Sequence, residues 1–277
     1  MSAQTNAGAD TSATTGRTAE LEFTIDAKVE DVWAAITEAE HLMNWFPLEA
    51  RITPGEGGTM FMAWGEEFKG DCTIEVWEPS KRLRTTFMEQ PSPDSEPMRT
   101  FVDYFLERDG GVTKLRLVHS GFGEGAAWDA MYNAVSNGWN AELRSLKHYV
   151  ENHLSETREV AWAVSPIKSG DEAAWAALLG PDCLGLEGVV TPSAGERYSA
   201  NGPALGEISG LVLHSKKPGV FVATIDGMDN AFIRVEIERC TGPDPSVWFW
   251  VSLYGDSASG AKALKQRIEQ TLASLVA

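Results

Sequence analysis

The sequence predicts an α+β protein: an antiparallel sheet packed around one long C-terminal helix, with the whole unit present twice in tandem. Three observations carry this. Short runs of apolar residues alternating with polar ones are joined by turn-rich pieces too short for crossover helices, so neighbouring strands run antiparallel. A helix-period apolar stripe spans about Ala126 to His153. After residue 158 the same order of elements begins again.

The first strand is expected at Leu21–Ile25, where Leu21, Phe23 and Ile25 alternate with Glu22 and Thr24. The period then changes. Val32, Trp33, Ile36 and Ala39 recur at helical spacing behind Glu30 and Asp31, two acids that suit a helix start. This helix should fade near His41–Asn44, because Pro47 cannot continue it. Strands follow at Thr59–Trp64, in Cys72–Trp77, from Arg82, in Thr100–Glu107 and in Val112–Ser120, each bounded by turn residues. In the last of these, Lys114 and Arg116 alternate with Leu115, Leu117 and His119, which puts His119 on the apolar face. The closing helix carries Trp128, Tyr132, Val135, Trp139, Leu143, Leu146 and Val150 in steps of three and four. Gly138 interrupts it and implies close helix–sheet approach or room for something bound.

The second copy is legible by alignment with the first. Trp175-Ala176-Ala177-Leu178 repeats Trp33-Ala34-Ala35-Ile36, both behind a strand and an acidic helix start. The strands "AFIRVEIE" and "VWFWVSLYG" echo "TFVDYFLE" and "VTKLRLVHSG", and a helix from Ala258 to Leu275 closes the unit. The reading is a tail at 1–18, a first domain at 19–155 and a second, degenerate domain at 158–277. The copies differ in charge: 13 basic and 26 acidic residues through Thr157, against 10 and 14 from Arg158. The second copy also has a shorter final helix and a Gly/Pro/Ser-rich middle at Thr191–Ser209.

Composition narrows the function. A net charge of -17 over 277 residues argues against nucleic-acid or anionic-membrane binding, which both need a basic face. No apolar run reaches the ~18–20 residues of a membrane span. Cys72, Cys183 and Cys240 are odd in number and widely spaced, so neither a disulfide framework nor a zinc site is expected, and a cytoplasmic setting fits. The tail lacks the basic start and apolar stretch of a secretory signal. His148 and His153 are five apart on a helix, the wrong spacing for a shared metal. Glu66-Glu67 reads as a solvated face, and the glycine-rich pieces "GEGG" and "GFGEG" read as turns, lacking the phosphate-loop pattern and its lysine. No metal and no cofactor is expected.

Several motifs stand in one order: Trp33, Trp45-Phe46-Pro47, Gly57-Gly58, the run Gly70 to Leu83 ("GDCTIEVWEPSKRL"), the run Thr113 to Phe122 ("TKLRLVHSGF") and Gly138-Trp139. In this the chain resembles the activator of heat-shock-protein-90 ATPase homologue family of the START/SRPBCC superfamily over about Leu21–Leu154, and more weakly beyond. The resemblance implies a helix-grip fold with an apolar cavity between sheet and last helix. It also implies a choice of roles: carrier of a small apolar molecule, polyketide cyclase, or regulator of a chaperone.

The candidate pocket comprises Trp45, Phe46, Trp64, Phe87, Tyr104, His119, Phe122, Tyr132 and Trp139. In a grip fold one inward face serves both as core and as ligand wall, so core packing is the alternative role for each aromatic residue. His119 reads either as a buried neutral histidine or as a polar anchor or general base, with Tyr104 on the adjacent strand as its companion. No Ser/His/Asp or Cys/His arrangement supplies a partner, so no catalytic residue is assigned. The leading expectation is a protein that binds a small hydrophobic or aromatic molecule in the first domain. The alternatives are a cyclase or lyase using His119 or Tyr104, and a domain whose acidic surface meets a protein partner. The second copy is expected to cover a sheet edge or the cavity mouth.

Overall fold

The computed structural model describes residues 16–66, 69–92, 94–188, 191–238 and 245–275. Most of the expected tail, Glu67, Cys240 and most of the turn after it lie outside the described residues.

The first strand, β1 (Arg17–Ile25), starts four residues ahead of the expected Leu21, because pairing with the far end of the last strand extends it. The expected single helix is two, α1 (Val29–Thr37) and α2 (Ala39–Leu42). Glu38 between them is extended, with φ -108° and ψ 127°. Then come β2 (Glu49–Thr53), β3 (Thr59–Ala63), β4 (Lys69–Glu78), β5 (Arg82–Glu89), β6 (Met98–Asp109), β7 (Val112–Phe122) and α3 (Ala126–Asn152). Strand β2 has no counterpart in the sequence reading. Its alternation is masked by Glu49, Arg51 and Thr53, and its inward residues Ala50 and Ile52 are only half-buried.

The second copy runs β8 (Glu159–Pro166), α4 (Asp171–Leu179), β9 (Arg197–Gly202), β10 (Gly206–Lys216), β11 (Val220–Ile225), β12 (Ala231–Glu238), β13 (Ser246–Leu253) and α5 (Ala261–Leu275). A 3₁₀ turn at Gly255–Gly260 precedes α5, so the helix proper starts three residues after the expected Ala258. Strand β9 lies inside the Gly/Pro/Ser-rich middle, where Tyr198, Ala200 and Gly202 alternate inward.

Both sheets are antiparallel and share one topology. Their orders are β1-β7-β6-β5-β4-β3-β2 and β8-β13-β12-β11-β10-β9: in each, the first strand pairs with the last and the rest form a meander. Among the described residues, the second sheet has six strands where the first has seven, and in the place of β2 only a single bridge pairs Leu186 with Ala200 of β9. Two tandem helix-grip units, one of them trimmed, therefore make up the chain.

Helix α3 is shared between the two units. One face, carrying Trp139, Leu143, Leu146, Tyr149 and Val150, packs into the first core with Trp45, Ile74, Leu83 and Leu117. The opposite face docks on the outer side of the second sheet. Ala141 packs with Val220, Val222 and Phe232. Arg144 Nε donates to the Leu213 carbonyl at 2.9 Å, and His148 Nε2 bonds the Asn230 carbonyl at 2.7 Å. The second core lies on the other side of that sheet, where Leu264, Ile268 and Leu272 of α5 meet Ile233, Val235, Phe249 and Val251. The molecule is thus layered as sheet, helix, sheet, helix.

Candidate functional site

The grip is closed at one end and open at the other. At the closed end, Ile36, Leu42, Met60, Leu83 and Tyr104 leave a void of only ≈ 20 Å³. Beyond it lies a cavity of ≈ 750 Å³ that runs between the first sheet, α3 and the outer face of the second sheet. This volume is within the range of small-molecule sites, ≈ 300–1,000 Å³.

Aromatic rings form its apolar wall. Trp45 stacks on Phe46 at 5.0 Å between centroids. Phe46 in turn meets Trp64 edge-on at 4.9 Å and Trp139 at 5.5 Å. The wall is held from behind: Trp45 Nε1 donates to the Ala35 carbonyl at 2.8 Å, and Ser145 Oγ donates to the Trp45 carbonyl at 2.8 Å. Such satisfied polar handles fix large rings in one orientation.

Of the nine candidates from sequence, Trp45, Phe46, Trp64, Phe87, His119 and Trp139 line the cavity. Tyr104, Phe122 and Tyr132 stand off it. Tyr104 lines the small closed void instead and packs edge-on against Trp139 at 6.0 Å. Phe122 packs on His119 at 4.6 Å, and Tyr132 on Phe122 at 5.3 Å. Nor does Tyr104 pair with His119: its cross-strand partner is Leu117, whereas His119 faces Val102. Burial also raises the Tyr104 hydroxyl far above its ordinary range.

His119 is 4% exposed. Trp139 Nε1 donates to its Nδ1 at 3.0 Å, so the hydrogen of the neutral ring sits on Nε2. Burial depresses its pKa to about 4. At neutral pH it is therefore an uncharged donor, and its basic nitrogen is already engaged.

Gly138 also lines the cavity, and a Cβ there would meet nothing nearer than Arg234 Nη2 at 4.0 Å. Of the two meanings its position allowed, the structure has room rather than close approach.

Sequence reading missed the second-copy wall: Phe232, Arg234, Glu236, Trp248, Trp250 and the junction residue Arg158. Trp248 and Trp250 flank Trp162 at 5.8 and 5.5 Å. Arg234 pairs with Glu142 of α3 and, at 2.6 Å, with Glu236. Burial opposes its charge, but the two carboxylates outweigh burial and hold the guanidinium protonated. Arg158 binds carbonyls instead, donating to Phe46 O at 3.2 Å and Pro47 O at 2.6 Å. A signal for this wall exists in "VWFWVSL", which is apolar at both alternating sets of positions, the pattern of a strand covered on both faces.

Fold and site together define a tandem helix-grip protein. Residues 26–151 match the family described as Activator of Hsp90 ATPase homolog 1-like protein. No curated protein matches the chain. Among solved structures it is similar to protein MLL2253 from Mesorhizobium loti, at 24% identity and TM-score 0.44, covering 50% of this chain and 98% of that one. It is similar over 94% of its length to the di-domain ARO/CYC BexL from the BE-7585A biosynthetic pathway, covering 97% of that chain at 15% identity and TM-score 0.45. It also resembles the Aha1 dimer from Colwellia psychrerythraea, at 21% identity and TM-score 0.40, covering 49% of this chain and 96% of that one. Among the described residues, no helix is long and apolar enough to cross a membrane.

Proposed function

We propose that this protein binds a small hydrophobic, ring-containing molecule in the ≈ 750 Å³ cavity. In this reading the domain at 19–155 supplies the pocket, and the domain at 158–277 closes it. The observation that carries the proposal is the ring cluster Trp45, Phe46, Trp64 and Trp139 on a cavity wall of binding-site size. Rings used only for core packing would fill such a space, as they do at the closed end.

The cyclase reading finds less support. Nδ1 of His119 is occupied and the ring is held neutral, so it is poorly placed to abstract a proton. Tyr104 does not reach the cavity. A cytoplasmic carrier or sensor is the role that suits a binder in which neither His119 nor Tyr104 is placed to transfer a proton.

Native mass spectrometry of protein purified from cells tests the proposal. A co-purifying small molecule that is displaced by a fluorescent fatty-acid or flavonoid probe is the expected result. No co-purifying molecule, together with no saturable binding of either probe, overturns it.

A further inference from the structure

Buried hydrogen-bonding atoms normally have partners, so a cluster that lacks them reports what a site is built to meet. Among the described residues, four such atoms are Thr86 Oγ1, His119 Nε2, Arg158 Nε and Arg234 Nε. All four residues line the same cavity. They come from both copies: Thr86 on β5 and His119 on β7, Arg158 at the junction and Arg234 on β12.

The chemistry of the four is one-sided. Arginine Nε has only a hydrogen to offer, and His119 Nε2 carries the ring hydrogen because Nδ1 already accepts from Trp139. The Thr86 hydroxyl can donate too. What would satisfy them is a set of acceptor oxygens. Charge narrows the choice further. The cavity lining carries five carboxylates against four cations, so an anionic ligand would add to a surplus of negative charge.

We infer that the cavity is a composite site for a neutral ring-containing ketone or quinone, whose oxygens meet His119 Nε2–H on the first copy and the Arg158 and Arg234 Nε–H groups on the second. This rests on the proposed binding of an apolar ring. It adds the polar edge of the ligand and makes the second copy a contributor of binding groups. The donor atoms are shielded from bulk water, so the oxygens reach them through side-chain-scale adjustment of the wall.

The test is a titration of the full-length chain with three probes of matched size: 2-acetylnaphthalene, 2-ethylnaphthalene and 2-naphthoate, followed by tryptophan fluorescence. A site with unpaired buried donors discriminates against an analogue that lacks the acceptor. The ketone is expected to bind about tenfold or more tighter than the hydrocarbon, and tighter than the carboxylate. The preference should shrink in His119→Phe and in Arg158→Lys, which keeps the cation but removes the Nε–H. Equal binding of ketone and hydrocarbon overturns this inference and leaves apolar binding standing. Tighter binding of 2-naphthoate overturns it as well. Failure of all three probes to bind removes both readings. The comparison in the unsubstituted protein needs no variant to fold, and an undiminished ketone preference in two folded variants overturns the assignment of donors.

Discussion

The indole Nε1–H of Trp139 donates to Nδ1 of His119 at 3.0 Å, and this contact decides what the histidine can do. It links the long helix to the sheet inside the cavity wall and fixes the imidazole tautomer. Adding a proton to Nδ1 would set one N–H against another in a site where the ring is 4% exposed. Heteronuclear NMR of the ring nitrogens should show the Nε2–H tautomer at neutral pH. In Trp139→Phe, with the donor gone, the tautomers should mix.

The same burial makes stability depend on pH. Burial holds both His119 and His148 at about 4, and His153, whose ring centre is 5.0 Å from that of His148, depresses the latter further. The unfolded chain takes up these protons near the ordinary 6.5, so between about 6.5 and 4 it binds more protons than the native state. Stability is therefore full above that window and is lost as pH falls through it. Each histidine should cost roughly 2 kcal/mol between pH 7 and pH 5. Other groups titrate in this range, so the readout is the difference between the unsubstituted protein and His148→Gln, which keeps a donor for the Asn230 carbonyl. Urea midpoints that shift equally with pH in both proteins would contradict this.

Gly138 offers a way to fill the cavity without disturbing the core. A Cβ there meets only Arg234 Nη2, at 4.0 Å. Gly138→Ala should stabilise the protein by about 0.5–1 kcal/mol through helix propensity alone. Gly138→Leu places a branched side chain in the space and should weaken probe binding tenfold or more while the melting temperature stays within a few degrees. A fall in stability for Gly138→Ala would show that the helix has no such room.

Where the sequence could be read, the reason is periodicity. The strand alternation placing His119 beside Leu115 and Leu117, and the three-four stepping through Trp139, Leu143 and Leu146, are consequences of one face meeting one core. What escaped is what a second face does. Arg144 and Glu142 sit opposite the apolar stripe of α3, where charged residues carry no sequence sign of burial, yet the second sheet partly covers them. Single-chain patterning registers how apolar a face is, and a face buried through ion pairs and carbonyl bonds leaves no apolar trace. Tyr104 was misplaced for a different reason: its inward direction was legible, but not its depth along the grip.

Arg158 should prove to be the fastener of the aromatic wall. Its Nη2 donates to the carbonyls of Phe46 and Pro47, and its backbone N–H donates to Asn44 Oδ1 at 2.9 Å. Tyr254, from the second copy, donates to the Asn44 carbonyl at 2.8 Å. The loop that presents Trp45 and Phe46 is thus held by residues from beyond the domain that owns it. Arg158→Met leaves two buried carbonyls unmet and should cost about 2–4 kcal/mol, and Tyr254→Phe about 1 kcal/mol. Both should also weaken probe binding, measured alongside thermal melts. A destabilised Arg158→Met that binds the probe unchanged would separate this residue from the site.

The Arg234 cluster separates the cost of breaking a buried ion network from its net contribution. Arg234 on β12 joins Glu142 on α3 to Glu236 on its own strand, so it bridges the two copies at the cavity wall. Both carboxylates are largely buried, with side-chain exposures of 15% and 7%. Arg234→Met removes the cation that bridges them and leaves two like charges facing each other in a low-dielectric site, which should cost about 3–5 kcal/mol. Replacing all three together, with Glu142→Gln and Glu236→Gln alongside Arg234→Met, removes the stranded charges, and most of that loss should return. Chemical denaturation of the single and triple variants measures the difference. A triple variant as unstable as the single one would mean that Arg234 acts through its aliphatic packing against α3, and that the ion network itself does not hold the copies together.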